Sequence, residues 1–291
     1  MSQRVEIMKI ILSPNPYRDK QMSAVREAKR ILDSCKVETV VCLPFEMNDD
    51  FECPDDLEFH DIYKEAPGTD MLICFGGDGT ILHLASFAKT YNIPILGVNT
   101  GTLGYMAEVN PEELSLLNKI VSGDYYLEPR MMLDFKVIRD GEVILEDSAL
   151  NEAVIKTSTV GKEIQFTIFA DDAELFSCSG DGVIVGTPTG STAYNVSAGG
   201  PIVEPTAENL LVTPICAHNL GVRPCVLSKD RVVTVQLGNI SGKEVCLSAD
   251  GGEFRLEDND RIELRSSDSE INLVRVTDRS FYEILHQKLG S

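Results

Sequence analysis

The sequence predicts an α/β N-terminal domain, with a Rossmann-like parallel sheet, followed by an all-β C-terminal domain of stacked sheets or a sandwich. Three observations predict it. Short, almost unbroken apolar runs alternate with helix-period segments as far as Pro129, the pattern of parallel strands covered on both faces. Beyond that point, strand-like runs follow one another across turn dipeptides. A chain of 291 residues, 43% of them hydrophobic, also has material for two cores at roughly 150 residues each. The domains are read as 1–129 with the tail 271–291, and 130–270.

Ile7 to Leu12 reads as the first strand, stopped by Pro14 and Pro16, and Asp19 to Cys35 as a helix with Met22, Val25, Ile31 and Leu32 near one face. Val37 to Leu43, Met71 to Phe75 and Ile93 to Val98 repeat the strand signal, with a helix over Thr80 to Thr90 between the last two. Asn48 to Asp61, acidic and containing Pro54, reads as a surface loop. In the second half, Asp140-Gly141 joins Leu133 to Arg139 with Glu142 to Glu146 as a hairpin, and Asp171-Asp172-Ala173 joins Ile164 to Ala170 with Glu174 to Cys178. Arg231 to Leu237, Val245 to Ser248, Glu253 to Glu257, Arg261 to Arg265 and Ile271 to Val276 continue the strands, and Ser280 to Leu289 reads as a terminal helix.

Twenty-six Lys and Arg against 46 Asp and Glu leave a net charge of −20, a field that repels nucleic acid and anionic lipid headgroups. Neither a nucleic-acid partner nor a membrane partner is expected. No stretch approaches the roughly 18 apolar residues of a membrane span, and the N-terminus reads as neither signal peptide nor anchor. The eight cysteines are scattered, without a C-x-x-C pair, and read as reduced core thiols of a cytoplasmic protein. No cluster of His, Cys and carboxylates has metal-ligand spacing.

Gly76-Gly77-Asp78-Gly79-Thr80 follows a buried strand and opens a helix. The glycines let the backbone approach a ligand, and the free N–H groups at the helix start favour an anion, which makes the loop a phosphate cradle. Asp78 in that mouth suits a metal, or the proton of a hydroxyl nucleophile, or a plain helix cap. The loop matches neither the P-loop nor the Gly-x-Gly-x-x-Gly fingerprint. A second cluster runs from Gly180 through Asp181 to Tyr194, in which Thr189, Ser191 and Thr192 can cap a helix or offer hydroxyls to a ligand. Asn151-Glu152, an amide and a carboxylate inside an apolar strand context, suits the neighbouring hydroxyls of a sugar or else an outward-facing edge pair.

Taken in order, Gly76 to Thr80, Asn151-Glu152, the run Thr187-Pro188-Thr189-Gly190-Ser191-Thr192-Ala193-Tyr194, and then Ser197-Ala198-Gly199-Gly200-Pro201 resemble the NAD kinase family. Asn99 to Tyr105, Thr213 to His218 and Leu247 to Gly251 also look like family segments. The resemblance implies phosphoryl transfer from ATP, or in some members polyphosphate, to the 2′-hydroxyl of the adenosine ribose of NAD, with Mg²⁺ or another divalent cation arriving with the donor. It implies Asp78 as the base, Gly77, Gly79 and Thr80 near the phosphates, Asn151 and Glu152 on the ribose hydroxyls, and Thr189, Thr192, Ala193, Tyr194, Ser197 and Tyr105 around the dinucleotide. It also implies a homodimer or homotetramer in which Asp181 and Cys216 to His218 complete the neighbouring subunit's site. Ser179 departs from the Arg that many bacterial members carry there, which leaves the NAD or NADH preference open. His83 reads as a helix-surface side chain. Diacylglycerol and sphingosine lipid kinases share the first motif, but they carry Asn-Glu soon after it, where this acidic chain has Ile81-Leu82-His83-Leu84-Ala85. A catalytically idle NAD(H) sensor is the alternative outside enzymes.

Overall fold

The computed structural model describes residues 7–19, 21–45, 54–101, 104–219 and 221–290. By its internal contacts the chain divides into two compact units, Met1–Pro129 with Ile271–Ser291, and Arg130–Glu270.

The first unit is doubly wound. Strand β1 (Lys9–Pro14) leads to helix α1 (Ser23–Ser34), then to β2 (Glu38–Cys42), β3 (Phe59–His60), the single-turn α2 (Ile62–Glu65), β4 (Met71–Gly76), α3 (Asp78–Tyr91), β5 (Ile95–Asn99) and α4 (Leu117–Ser122). The order β3-β2-β1-β4-β5 is parallel throughout. Every residue of β4 and β5 is buried, as strands covered on both faces require. One face, with Ile10, Leu12, Ile73, Phe75, Leu96 and Val98, packs on Val25, Ala28 and Leu32 of α1 and Leu117 and Ile120 of α4. On the other face a Cβ at Gly97 would meet Ile81 of α3 at 2.8 Å, so the glycine admits the helix.

Two expectations change here. The first helix begins at Ser23, not Asp19, because the buried Asp19 carboxylate stays outside and accepts the N–H groups of Ser23 and Ala24, both at 3.0 Å. Part of the acidic stretch expected as loop is strand, since Phe59 and His60 pair in parallel with Val41 and Cys42. The expected loop residues 48–53 lie outside the described residues, as does Cys53.

The second unit is a sandwich of β6 (Tyr126–Arg139), β7 (Glu142–Ala149), β8 (Glu152–Thr157), β9 (Ile164–Ala170), β10 (Ala173–Gly180), β11 (Gly182–Gly186), the single-turn α5 (Tyr194–Ser197), β12 (Asn209–Ile215), β13 (Cys225–Ser228), β14 (Val233–Leu237), β15 (Val245–Ala249), β16 (Gly252–Leu256) and β17 (Arg261–Arg275). One layer runs β10-β9-β14-β17, with β6 pairing β17 and β7; the other runs β13-β12-β11-β8-β15-β16. Their inner faces share one core, with Phe135, Phe166, Val235 and Ile262 from the first meeting Ile155, Val185, Val212 and Leu247 from the second. Asp140 and Gly141 have φ of 51° and 85°, the left-handed pair that a two-residue hairpin turn needs.

The first unit closes with the last residues of β17, where Leu273 lies opposite Ile95 in parallel register, and with α6 (Phe281–Leu289). Ser280 and Glu283 cap α6 reciprocally: the Glu283 N–H donates to Ser280 Oγ at 3.2 Å and the Ser280 N–H to Glu283 Oε2 at 2.7 Å. Arg261 to Arg265 and Ile271 to Val276, expected as separate strands, fall on one continuous strand, β17, which ends one residue before Val276.

Candidate functional site

In the first unit, the cradle forms where β4 ends and α3 begins. Gly77 is the N-cap, in extended conformation, and Asp78 is the first helical residue. A Cβ at Gly77 or Gly79 would meet nothing within 4 Å, so the start of α3, where helical N–H groups lack intrahelical acceptors, is open to a bulky anion. Thr80 is turned inward and buried, and its Oγ1 accepts Asn15 Nδ2 at 3.0 Å. Asp78 does not cap its own helix. Its Oδ2 accepts the N–H of Tyr105 at 2.7 Å, and its Oδ1 accepts those of Met106 at 3.0 Å and Ala107 at 3.4 Å. Tyr105 is held from the other side by α6, with Phe281 at 6.2 Å between ring centroids and Lys288 Nζ 4.1 Å from the Tyr105 centroid. Burial, and then the Asp78 charge, push the Tyr105 phenol upward. His83 is exposed and meets Phe45 edge-on at 5.3 Å. Thr102 and Leu103 lie outside the described residues.

In the second unit, Asn151 and Glu152 sit where β8 begins, opposite the end of β11, with Glu152 in register with Gly186. The segment that follows β11 folds onto them. The Thr187 N–H donates to the Asn151 carbonyl at 2.8 Å and its hydroxyl to the Leu150 carbonyl at 2.5 Å. A Cβ at Gly190 would lie 2.6 Å from Glu152 Oε2, so only glycine lets this turn come so close. Asn151 Oδ1 and Glu152 Oε2 are buried and have no hydrogen-bond partner, an unusual state for such atoms. Burial first, and then the Asp250 charge, push the Glu152 carboxyl up to about 8, against the N–H of Tyr194 that donates to it.

The run Thr187 to Tyr194 divides by role. Thr187 and Ser191 are buried and hold the fold: Ser191 Oγ donates to the Val203 carbonyl at 3.0 Å and accepts its N–H at 3.1 Å. Asn195 is buried between the Ser191 and Pro201 carbonyls and accepts the Thr213 hydroxyl at 2.6 Å. Thr189, also buried, accepts a hydrogen bond from Arg130 at 3.4 Å. Thr192 and Ala193 are half-buried, while Tyr194 and Ser197 are exposed, and Lys156 Nζ lies 5.8 Å from the Tyr194 ring centroid.

Asp181, Cys216 and His218 form a separate group at the opposite end of β11. Asp181 hydrogen-bonds the Cys216 thiol and with its charge pushes that thiol upward. The His218 N–H donates to the Ser179 carbonyl at 2.8 Å, and its ring meets Glu163 at 2.5 Å. Gly182 and Gly186 pair with Lys156 and Glu152 respectively, so the two groups are separated along β11 by roughly 14 Å at about 3.4 Å per residue. Ser179 and His218 line an open groove of about 720 Å³ with Gln165, Cys178 and Gln236. Asp250, a residue with no role legible in the sequence, reaches the Asn151 segment.

Family models described as "ATP-NAD kinase N-terminal domain" and "ATP-NAD kinase C-terminal domain" match residues 10–125 and 150–276. An NAD kinase of Acetivibrio thermocellus is 32% identical over 287 residues, 97% of this chain and 97% of that one. The chain belongs to the NAD kinase family. An NAD kinase of Symbiobacterium thermophilum is 41% identical over 223 residues, covering 76% of this chain and 78% of the relative. Among solved structures, yeast NADH kinase complexed with NADH superposes with a TM-score of 0.85 at 27% identity, over 98% of this chain and 88% of that one. An NAD kinase from Archaeoglobus fulgidus in complex with ATP has the same fold, with a TM-score of 0.71 at 24% identity over 97% and 99%. Among the described residues no helix is long and apolar enough to cross a membrane.

Proposed function

We propose that this NAD kinase, in phosphorylating NAD to NADP with ATP, binds the adenosine ribose through Asn151 and Glu152 and draws the 2′-hydroxyl proton onto Asp78. The observation that carries the reading is the pair of buried, partnerless oxygens, Asn151 Oδ1 and Glu152 Oε2. Acceptors of this kind on neighbouring residues suit the two O–H donors of a vicinal diol. A ribose hydroxyl donating to Glu152 also favours its ionised form, so ligand binding opposes the upward push of burial.

Phosphoryl transfer needs a positioned nucleophile and neutralised phosphate charge more than covalent help from the protein. The ATP enters as its divalent-metal complex, Mg²⁺ in this reading, which supplies the charge neutralisation. Gly77, Gly79 and Thr80 line the open start of α3 that receives its phosphates, and the cation would stay with those phosphates, since Asp78 has the proton to take. A carboxylate has about four lone-pair positions; three backbone N–H groups occupy two on Oδ1 and one on Oδ2, which leaves Oδ2 to take the proton. The same three hydrogen bonds favour a second reading, in which Asp78 serves chiefly to hold residues 105–107.

Thr189, Thr192, Ala193, Tyr194, Ser197 and Tyr105 surround the dinucleotide in this reading. Asp181, Cys216 and His218 serve the neighbouring subunit of a cytoplasmic homodimer or homotetramer, a role supported by their distance along β11 from Asn151. The test is calorimetry with Asn151→Ala, whose NAD affinity is expected to fall by about 1–3 kcal/mol as a buried hydroxyl loses its partner. Unchanged NAD binding would falsify the ribose assignment.

A further inference from the structure

The turn between β15 and β16 has two residues, because Ala249 pairs with Gly252. Its central residues, Asp250 and Gly251, have φ of 42° and 103°, the left-handed backbone of a tight hairpin turn, which glycine and asparagine adopt most readily. The turn alone explains a small polar residue at position 250. It does not explain where this carboxylate goes.

The side chain leaves its own hairpin and reaches the start of β8. Ala249 lies in register with Ala153, which puts the turn beside residues 150–152. Asp250 Oδ2 accepts the N–H of Leu150, and its carboxylate accepts the N–H of Asn151 at 3.2 Å through Oδ1 and 3.4 Å through Oδ2. The N–H of Glu152 bears on it as well. Consecutive backbone N–H groups converging on one carboxylate form a nest, and a nest fixes the peptide planes that contribute to it. Those planes carry the two side chains whose buried oxygens lack partners, Asn151 and Glu152.

We propose that Asp250 is a positioning residue for dinucleotide binding: by gathering the N–H groups of Leu150 and Asn151 it sets the direction in which Asn151 and Glu152 present their free oxygens. The proposal rests on the reading that this pair binds the ribose. Asp250 itself need not touch the ligand. Burial pushes its carboxyl up to about 6 against the N–H groups that hold it, and its proximity contributes to the upward push on Glu152.

Two variants separate this role from general support of the fold. Asp250→Gly removes the acceptor, while glycine suits the left-handed backbone, so the hairpin persists. Asp250→Asn keeps an oxygen able to accept the same N–H groups. Steady-state NADP formation is measured for both, with Asn151→Ala as the gauge of the underlying reading. Asp250→Gly is expected to raise KM for NAD by about tenfold or more, with KM for ATP within about threefold, and Asp250→Asn to restore KM for NAD to within about threefold of the parent. A KM for NAD unmoved in Asp250→Gly but raised in Asn151→Ala overturns the positioning role and leaves the ribose reading standing. Equal increases in both KM values in Asp250→Gly also overturn it, since they mark a general loss of structure. An Asn151→Ala variant with normal KM removes the reading, and the proposal with it.

Discussion

The Asp78 carboxylate accepts the backbone N–H of Tyr105 at 2.7 Å across 27 residues of sequence. With Met106 and Ala107 donating to its other oxygen, one side chain ties the start of α3 to the segment after β5. Whatever displaces that segment displaces the carboxylate, so the placement of the candidate base depends on the backbone of residues 105–107.

Gly104 tests that dependence. A Cβ there would overlap the Asp78 carboxylate, so Gly104→Ala must push one of them aside. We expect kcat to fall by about 10- to 100-fold, the scale of an ångström-sized misplacement of a reacting group, with the thermal midpoint lowered by only a few degrees. Steady-state kinetics beside calorimetry checks this, and a kcat near that of the parent would show that the carboxylate can move without consequence.

Glu152 gives a pH dependence with a definite sign. Its folded value of about 8 lies above the ordinary glutamate value of about 4.3. Between the two, the folded chain keeps a proton that the unfolded chain has released, so stability falls as pH rises through the window, by up to about 1.4 kcal/mol per pH unit. Glu152→Gln, which cannot ionise, is therefore expected to be more stable than the parent above pH 8, with the gap closing toward pH 4. Parallel midpoint curves for the two proteins from pH 5 to pH 9 would contradict the raised value.

Arg275 braces the same segment that Asp78 holds. Its guanidinium donates to the Met106 carbonyl and to Glu108, both at 3.0 Å, and to Glu128 at 2.9 Å. Glu108 in turn accepts the N–H groups of Val276 and Thr277 at 3.1 Å and 2.8 Å. The Arg275 and Glu108 side chains are only 6% and 3% exposed, so removing the cation leaves a buried carboxylate uncompensated. Arg275→Met should cost about 3–5 kcal/mol of stability by denaturant unfolding; a loss below about 1 kcal/mol would mean that water or a neighbour replaces the guanidinium.

Much of the fold was legible because its signals are local. The unbroken apolar runs of β4 and β5, and the turn at Asp140-Gly141, each announce their structure within a few residues. The long strands were not, because β17 runs unbroken through Ser266-Ser267-Asp268-Ser269, where the apolar alternation that signals a strand lapses. Of the candidate site, the loops were legible as glycine and hydroxyl clusters. The reach of Asp250 to Leu150, across 100 residues, leaves no trace in spacing or composition. Nor does the turning of Asp78 away from its own helix toward residues 105–107. Such contacts depend on which strand ends the fold brings side by side.

The most direct test of the general-base assignment is Asp78→Asn, with kcat from NADP formation and NAD affinity from calorimetry on the same preparation. With Asp78 as the base, kcat is expected to fall by about 10²- to 10⁴-fold, the usual contribution of a general base, while the dissociation constant for NAD changes by no more than about threefold. A near-normal kcat, or a loss of kcat matched by an equal loss of NAD affinity, would contradict that assignment, the second outcome reducing Asp78 to the residue that holds Tyr105 in place.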